Sequence, residues 1–127
     1  MRKVLVTGSQ GFVGTHLQRE LLREGVTVIG FDISDGDIAT CRNWGEDVEH
    51  VPHLAARTFI PDCWEHPFEF YRVNMLGTIN ALEFCRQRNI GFTYGNVYLA
   101  LRLYQTKQMK MIVLNDSMLT GVGIWKC

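Results

Sequence analysis

The chain has no excess of charge of either sign: thirteen lysines and arginines balance thirteen aspartates and glutamates. A neutral polypeptide offers no global field to draw in DNA, RNA or an anionic membrane, so neither nucleic acid nor membrane is expected as a partner. Long apolar runs are also missing. The opening MRKVLVTGSQGF sets two positive charges ahead of an apolar run at residues 4–6, too short for the core of a signal peptide. Nothing further along is long enough to span a bilayer. Cysteine is sparse. Cys41, Cys63, Cys85 and Cys127 form no CxxC pair and have no histidines at zinc-finger spacing, so no metal site is expected. Two successive gaps are both 22 residues, but the flanks ATCRN, PDCWE and EFCRQ share nothing, which argues against a repeat. Scattered thiols without a secretory signal fit a reducing cytoplasm. The 127 residues suit a single domain that buries roughly two thirds of its unfolded surface.

What is present is a pattern of alternating element types. KVLVTG is a short β-branched run stopped by Gly8, which reads as a buried strand. Across residues 12–24, Phe12, Val13, Leu17, Leu21 and Leu22 recur at helical intervals, with Gln18, Arg19, Arg23 and Glu24 on the other side. Gly25 then ends the helix as a glycine in the left-handed region does. VTVIGFD, residues 26–32, is the next strand, completing the start of a right-handed βαβ unit. Residues 33–47 are polar and without clear period. VPHLAA, residues 51–56, reads as a third strand, although Pro52 cannot donate to a ladder. A long helix is expected from about residue 68 to 88, with Met75, Ile79 and Leu82 on one face and Val73, Leu76, Gly77 and Phe84 close by. A helix this apolar should be covered on two sides. Later, VYLALRLY at residues 97–104 alternates like a strand, and KMIVLN at residues 110–115 could be another.

The segment VTGSQGFVG carries the chemistry. A strand that ends in a glycine turn and opens a helix presents unpartnered backbone N–H groups and the positive end of the helix dipole to an anion. Gly8 allows the sharp turn, Gly11 leaves room for a pyrophosphate, and Gly14 lets the helix pack closely. Asp32 lies 18 residues beyond Gly14 and ends the second strand, where a carboxylate hydrogen-bonds the adenosine ribose and repels a 2′-phosphate. The cofactor expected is NAD rather than NADP. Glycines clustering at a turn for structural reasons alone are the competing account.

VTGSQGFVG resembles the TGxxGFxG signature of the extended short-chain dehydrogenase/reductases, the NAD-dependent epimerase/dehydratase family that acts mostly on nucleotide sugars. VPHLAA is similar to the family's V-x-H-L-A-A, and NMLGTINALEFCR, residues 74–86, to its N-x-x-G-T-x-N-x-L-E helix. The resemblance covers residues 1–90 and implies an α/β Rossmann-like βαβ dinucleotide-binding portion with a parallel sheet. Residues 91–127 are expected to complete or cover that sheet as a divergent segment, not a second domain. By the resemblance Gly8, Gly11, Phe12, Val13 and Gly14 hold the pyrophosphate, and Asp32 the adenosine ribose. Leu54, Ala55 and Ala56 form the inner face of the cofactor site, and Asn74 supports its nicotinamide side. His53 reads as a packed, hydrogen-bonded core residue in preference to a catalytic one.

Three departures follow. Only 18 residues separate Asp32 from Val51, where the family fits a further helix and strand, so the sheet is expected to be incomplete. Asp37 and Ile38 look like the family's adenine-contacting G-D-I but come too soon. The family's tyrosine, activated by a lysine four residues on, takes the proton from the sugar hydroxyl during hydride transfer. Here Tyr71 is followed by Met75, Tyr94 by Tyr98, Tyr98 by Arg102 and Tyr104 by Gln108, so no catalytic residue is assigned; Lys107 follows Tyr104 by three. After IGFTYGN the likeness ends, and a chain truncated relative to the family is expected. Three readings remain open. They are an NAD-binding portion of a nucleotide-sugar epimerase or dehydratase; a small dinucleotide-binding module that senses NAD or pairs, with a full-length relative or as a homodimer, through the helix at residues 74–84; and a fragment without independent activity.

Overall fold

The structure, a computed structural model, describes residues 2–95 and 124–125. The sheet is built from β1 (Lys3–Thr7), β2 (Thr27–Phe31), β3 (His50–His53) and β4 (Gly91–Tyr94), all parallel, in the order β2-β1-β3-β4. A two-residue strand β5 (Ile124–Trp125) adds antiparallel to β4. Both faces of β1 are buried, as parallel strands require: Val4 and Val6 point one way and Leu5 the other.

Helix α1 (Phe12–Arg23) covers the first face, with Leu17 and Leu21 against Val4, Val6, Val26, Val28 and Leu54. It stops at Glu24, and Gly25 follows at φ +76°, the left-handed termination expected from the sequence. The opposite face is covered by α4 (Gly77–Arg88), which is reached through α2 (Ile60–Glu65), a break at His66, α3 (Pro67–Tyr71) and a π-helical turn (Arg72–Leu76). The expected helix from 68 to 88 is therefore present, but its middle is widened into a π turn. Its inward face is Gly77, Asn80, Ala81, Phe84 and Cys85. The second cover expected for its outer face is not supplied by the described residues, where Met75 is 57% and Ile79 56% exposed.

The connection from β2 to β3 has no period in its sequence, yet it buries Ile38, Trp44 and Val48 in the core between sheet and α4. Trp44 stands edge-on to both Phe31 (5.7 Å) and Phe84 (5.1 Å), so one indole bridges β2 and α4 across the core. Asn80 pins this segment: its Nδ2 donates to the carbonyls of Ile38 (2.9 Å) and Cys41 (2.6 Å). Glycine is required at position 77, because a Cβ there would lie 2.7 Å from the Ile38 Cγ2.

The third strand is shorter than its apolar text suggested. β3 ends at His53, and residues 54–56 run on as irregular backbone. Pro52 sits inside the sheet, not at an edge. The β1–β3 register is accordingly held at Val4↔His50 and Thr7↔His53, on either side of it. The strands expected at 97–104 and 110–115 lie outside the described residues. Because β2 and β3 flank β1 on opposite sides, the chain reverses direction across the sheet at the carboxyl end of β1. Such switch points are where open α/β sheets bind ligands.

Candidate functional site

The loop after β1 is a close-packed structure whose three glycines are obstructed to different degrees. Gly8 has φ +70° and its carbonyl accepts the Gly11 N–H at 3.1 Å. A Cβ on Gly8 would lie 2.7 Å from the Leu54 carbonyl carbon and the Ala55 nitrogen; one on Gly14 would lie 2.1 Å from the Gly8 oxygen. Gly8 thus lets the loop touch the segment after β3, and Gly14 lets α1 close onto the loop. Gly11 differs: its Cβ would meet only the Gly8 oxygen, at 3.3 Å. It is the N-cap of α1, with extended φ and ψ, no side-chain cap and no acidic residue in the first turn behind it. The helix start is therefore uncapped and unneutralised, as anion binding requires. Of the neighbouring residues, Val13 is half-buried, while Phe12 is exposed and packs on His16 at 4.6 Å.

Asp32 faces this loop from the end of β2. Its Oδ2 accepts the Gln10 N–H at 2.8 Å and its Oδ1 the Ile33 N–H at 2.7 Å. Two of the four or so lone-pair directions of the carboxylate are used, which leaves acceptor capacity for a diol. Ser9 is buried beneath the loop and donates its N–H to the Phe31 carbonyl, while Gln18 Nε2 holds the Ser9 carbonyl at 2.7 Å.

The wall opposite is residues 54–57. The Thr7 hydroxyl accepts N–H groups from Leu54 (3.1 Å) and Ala55 (3.3 Å), so its own proton goes to His53 Nδ1 at 2.8 Å. That fixes the tautomer. Nε2 carries the ring proton and donates to the Thr78 hydroxyl (3.2 Å), which in turn donates to the Asn74 carbonyl (2.7 Å). His53 is 1% exposed, and burial pushes its pKa down from 6.5 to about 4. It is a neutral, hydrogen-bonded core residue. Asn74, assigned from sequence to the nicotinamide side, uses both ends of its side chain on one backbone residue: Oδ1 accepts the Arg57 N–H (2.8 Å) and Nδ2 donates to the Arg57 carbonyl (3.0 Å). Its visible work is to fasten the loop that Leu54, Ala55 and Ala56 begin.

Gly8, Gly11, Gly14, Asp32 and residues 54–56 thus converge, and Asn74 stands behind the last of these. Asp37 and Ile38 do not join them. Ile38 is buried under Gly77, and the Asp37 carboxylate is held below its ordinary pKa by the Ala39 N–H and by Arg72. Sequence reasoning missed Thr7, Gln10 and Thr78. The one available signal was a hydroxyl ending an otherwise apolar strand, at Thr7. No cluster of three or more metal-binding side chains, and no helix long and apolar enough to cross a membrane, occurs among the described residues.

The model of the NAD dependent epimerase/dehydratase family matches residues 4–100. The chain belongs to that family. It is 33% identical over 115 residues to UDP-glucuronate 4-epimerase 3 of Arabidopsis thaliana, a match covering 68% of this chain and 27% of that protein. It is 31% identical over 108 residues to GDP-6-deoxy-D-mannose reductase of Pseudomonas aeruginosa, covering 76% and 35%. Among solved structures it is similar to the UDP-glucose 4-epimerase of Thermus thermophilus in complex with NAD, with TM-score 0.61 and 31% identity over 67% of this chain and 34% of that one. It is equally similar to MoeE5 in complex with UDP-glucuronic acid and NAD, with TM-score 0.63 and 31% identity over 69% and 34%. The chain spans about a third of the length of the relatives it matches. In this family member the Rossmann-like sheet is retained, with strand order β2-β1-β3-β4, while the connection from β2 to β3 is a single irregular segment.

Proposed function

We propose that this chain binds NAD(H) as part of a nucleotide-sugar epimerase or dehydratase. The observation that carries the reading is Gly11: the least obstructed of the loop's three glycines, with a Cβ meeting the Gly8 oxygen alone, at a helix start without a side-chain cap and beside Asp32. A cofactor pyrophosphate fits there on the backbone of Gly8, Gly11, Phe12, Val13 and Gly14. Asp32 takes the adenosine ribose, and residues 54–56 form the inner wall that Asn74 secures. A bound nicotinamide would supply reversible hydride transfer; this chain's own residues bind and orient it. No residue is assigned to proton transfer, since no tyrosine here has a lysine four positions on. A nucleotide sugar is the substrate in a complete relative, and the cytoplasm is the compartment.

A second reading has its own observation. Phe68, Met75 and Ile79 are exposed along one helical run, and a non-catalytic module that pairs through residues 74–84, as a homodimer, would cover them. A thermal melt of the purified chain with NAD, with NADP and with neither tests the first reading. A ligand at a hundred times its Kd adds about 2.7 kcal/mol to the folded state. A cooperative transition raised by NAD and not by NADP supports it; a cooperative transition indifferent to both makes the glycine loop structural only.

A further inference from the structure

The helical run that covers the sheet passes through its π turn with one hydrogen bond shared. The Gly77 N–H donates both to the Arg72 carbonyl, five residues back, and to the Val73 carbonyl, four back. The first bond is that of a π-helix and the second that of an α-helix, so the turn stands between the two forms. Its two ends are gripped by neighbouring residues of the β2–β3 connection. Arg72 Nη1 donates to Asp37 Oδ2, while its Nε and Nη2 hold the two oxygens of Glu69, each at 3.0 Å. Ile38 fills the space beside Gly77, where a Cβ would lie 2.7 Å from its Cγ2. Asp37 is itself fixed, its Oδ1 accepting the Ala39 N–H and its carbonyl the Cys41 N–H, each at 2.9 Å. From inside the turn Asn74 reaches a different segment, the backbone of Arg57. Residues two apart on a helix do not face each other, so Arg72 and Asn74 hold the turn from different sides.

We propose that Arg72 and Asp37 are positioning residues for the inner wall of the cofactor site: their ion pair holds the turn in its widened form, and that form brings Asn74 onto Arg57. This rests on the NAD-binding reading above. When the pair is lost, the Gly77 N–H goes to Val73 alone. Tightening to an α turn removes one residue from the turn and rotates the helix before it by about 100°. Asn74 then leaves Arg57, and residues 54–57 keep only the grip of Thr7 and Gly8 at their other end. An ion pair that merely fastened the β2–β3 connection would, when broken, loosen residues 33–49 and leave residues 54–57 as they are.

The test is amide hydrogen exchange read by NMR, together with isothermal titration of NAD, on the whole chain. Arg72→Gln should speed exchange at the Arg57 N–H by about tenfold and weaken NAD by about fivefold. Asp37→Asn keeps an oxygen for the Ala39 N–H but turns an amide towards Arg72. It should reproduce both effects from the other end of the pair, and it carries the test should Arg72→Gln not fold. Arg72→Lys retains the charge and should recover part of the affinity. The decisive comparison is with Asn74→Ala. Because the effect travels through Asn74, adding Arg72→Gln to Asn74→Ala should change neither Arg57 exchange nor NAD affinity further, whereas independent losses would add. Wild-type exchange at Arg57 in the Arg72 and Asp37 variants, or NAD losses that add in the double variant, overturns the proposal and leaves the NAD reading standing. A folded wild type that binds no NAD overturns that reading, and exchange at Arg57 then decides by itself whether the ion pair positions the loop.

Discussion

Gly11 caps α1 and Gly14 lies in its first turn, but the two should respond differently to the same substitution. An alanine Cβ at Gly14 would stand 2.1 Å from the Gly8 oxygen and 2.9 Å from two further backbone atoms, where ordinary contact begins at 3.4 Å. The start of α1 would have to retreat by about 1.3 Å, and no rotamer change relieves a backbone clash. Overpacking of this kind costs about 1–3 kcal/mol, against about 0.5–1 kcal/mol gained by removing a glycine from a helix. Gly14→Ala should therefore destabilise by about 1 kcal/mol net, a fall in Tm of roughly 5 °C for a domain near this size. At Gly11 the added Cβ meets a single atom, the Gly8 oxygen, at 3.3 Å and φ is −71°, so alanine asks for a shift of about 0.1 Å against the 1.3 Å needed at Gly14. Stability should stay within about 0.5 kcal/mol, since a poorer N-cap and a less flexible unfolded chain offset one another. What Gly11→Ala should remove is the upward shift of Tm by saturating NAD. Urea and thermal melts of both variants, with and without NAD, read all of this. Equal destabilisation of the two, or a Gly11→Ala protein that keeps the NAD shift, would refute the division of labour between the glycines.

Other perturbations test the framework around the site. Burial lowers the His53 pKa from 6.5 to about 4, so the unfolded chain takes up a proton in that window while the native chain does not. Stability is full above pH 6.5 and should decline by ~3 kcal/mol as the pH falls to about 4. Urea midpoints for the wild type and His53→Gln across that range should converge towards the acid end, and parallel curves would contradict it. Asn74→Ala leaves the Arg57 N–H and carbonyl without their partner, which should cost about 2 kcal/mol and raise hydrogen exchange at Arg57 selectively. Asn80→Ala releases the carbonyls of Ile38 and Cys41; a comparable loss is expected, together with faster proteolysis within residues 33–49.

The parts of this fold that were legible in the sequence are those where one residue's environment is set by its neighbours along the chain. KVLVTG, the helical spacing of Leu17 and Leu21, and Gly25 as terminator all act over a few residues, and each appears where expected. The run at 68–88 was legible for the same reason, but its π turn was not, because nothing in the spacing of Val73, Asn74 and Met75 marks a widened turn. Residues 33–49 hid their role because a segment with no regular structure has no period. Ile38, Trp44 and Val48 are buried by the shape of the gap between Phe31 and Phe84 rather than by a repeat. The hydrogen bonds that fix His53 join Thr7, 46 residues earlier, to Thr78, 25 later, and no local pattern can announce such partners.

The inner wall of the site is determined several times over. Thr7 holds the N–H groups of Leu54 and Ala55, Gly8 packs against the same peptide, and Asn74 grips Arg57 from the π turn. Thr7, Gly8 and Asn74 thus hold Leu54, Ala55 and Arg57, three of the four residues 54–57, so a ligand laid against them would need little further ordering of the protein. Packing accounts for Gly8 and Gly14, whose Cβ positions are blocked by backbone. It bears less heavily on Gly11, whose Cβ would meet only the Gly8 oxygen at 3.3 Å and where serine, threonine, asparagine or aspartate would cap the helix better. A loop kept only as a turn needs two of its three glycines. On the proposed NAD-binding reading, the third leaves room for a dinucleotide pyrophosphate to come close to the backbone at the positive end of α1, between the fixed wall and Asp32.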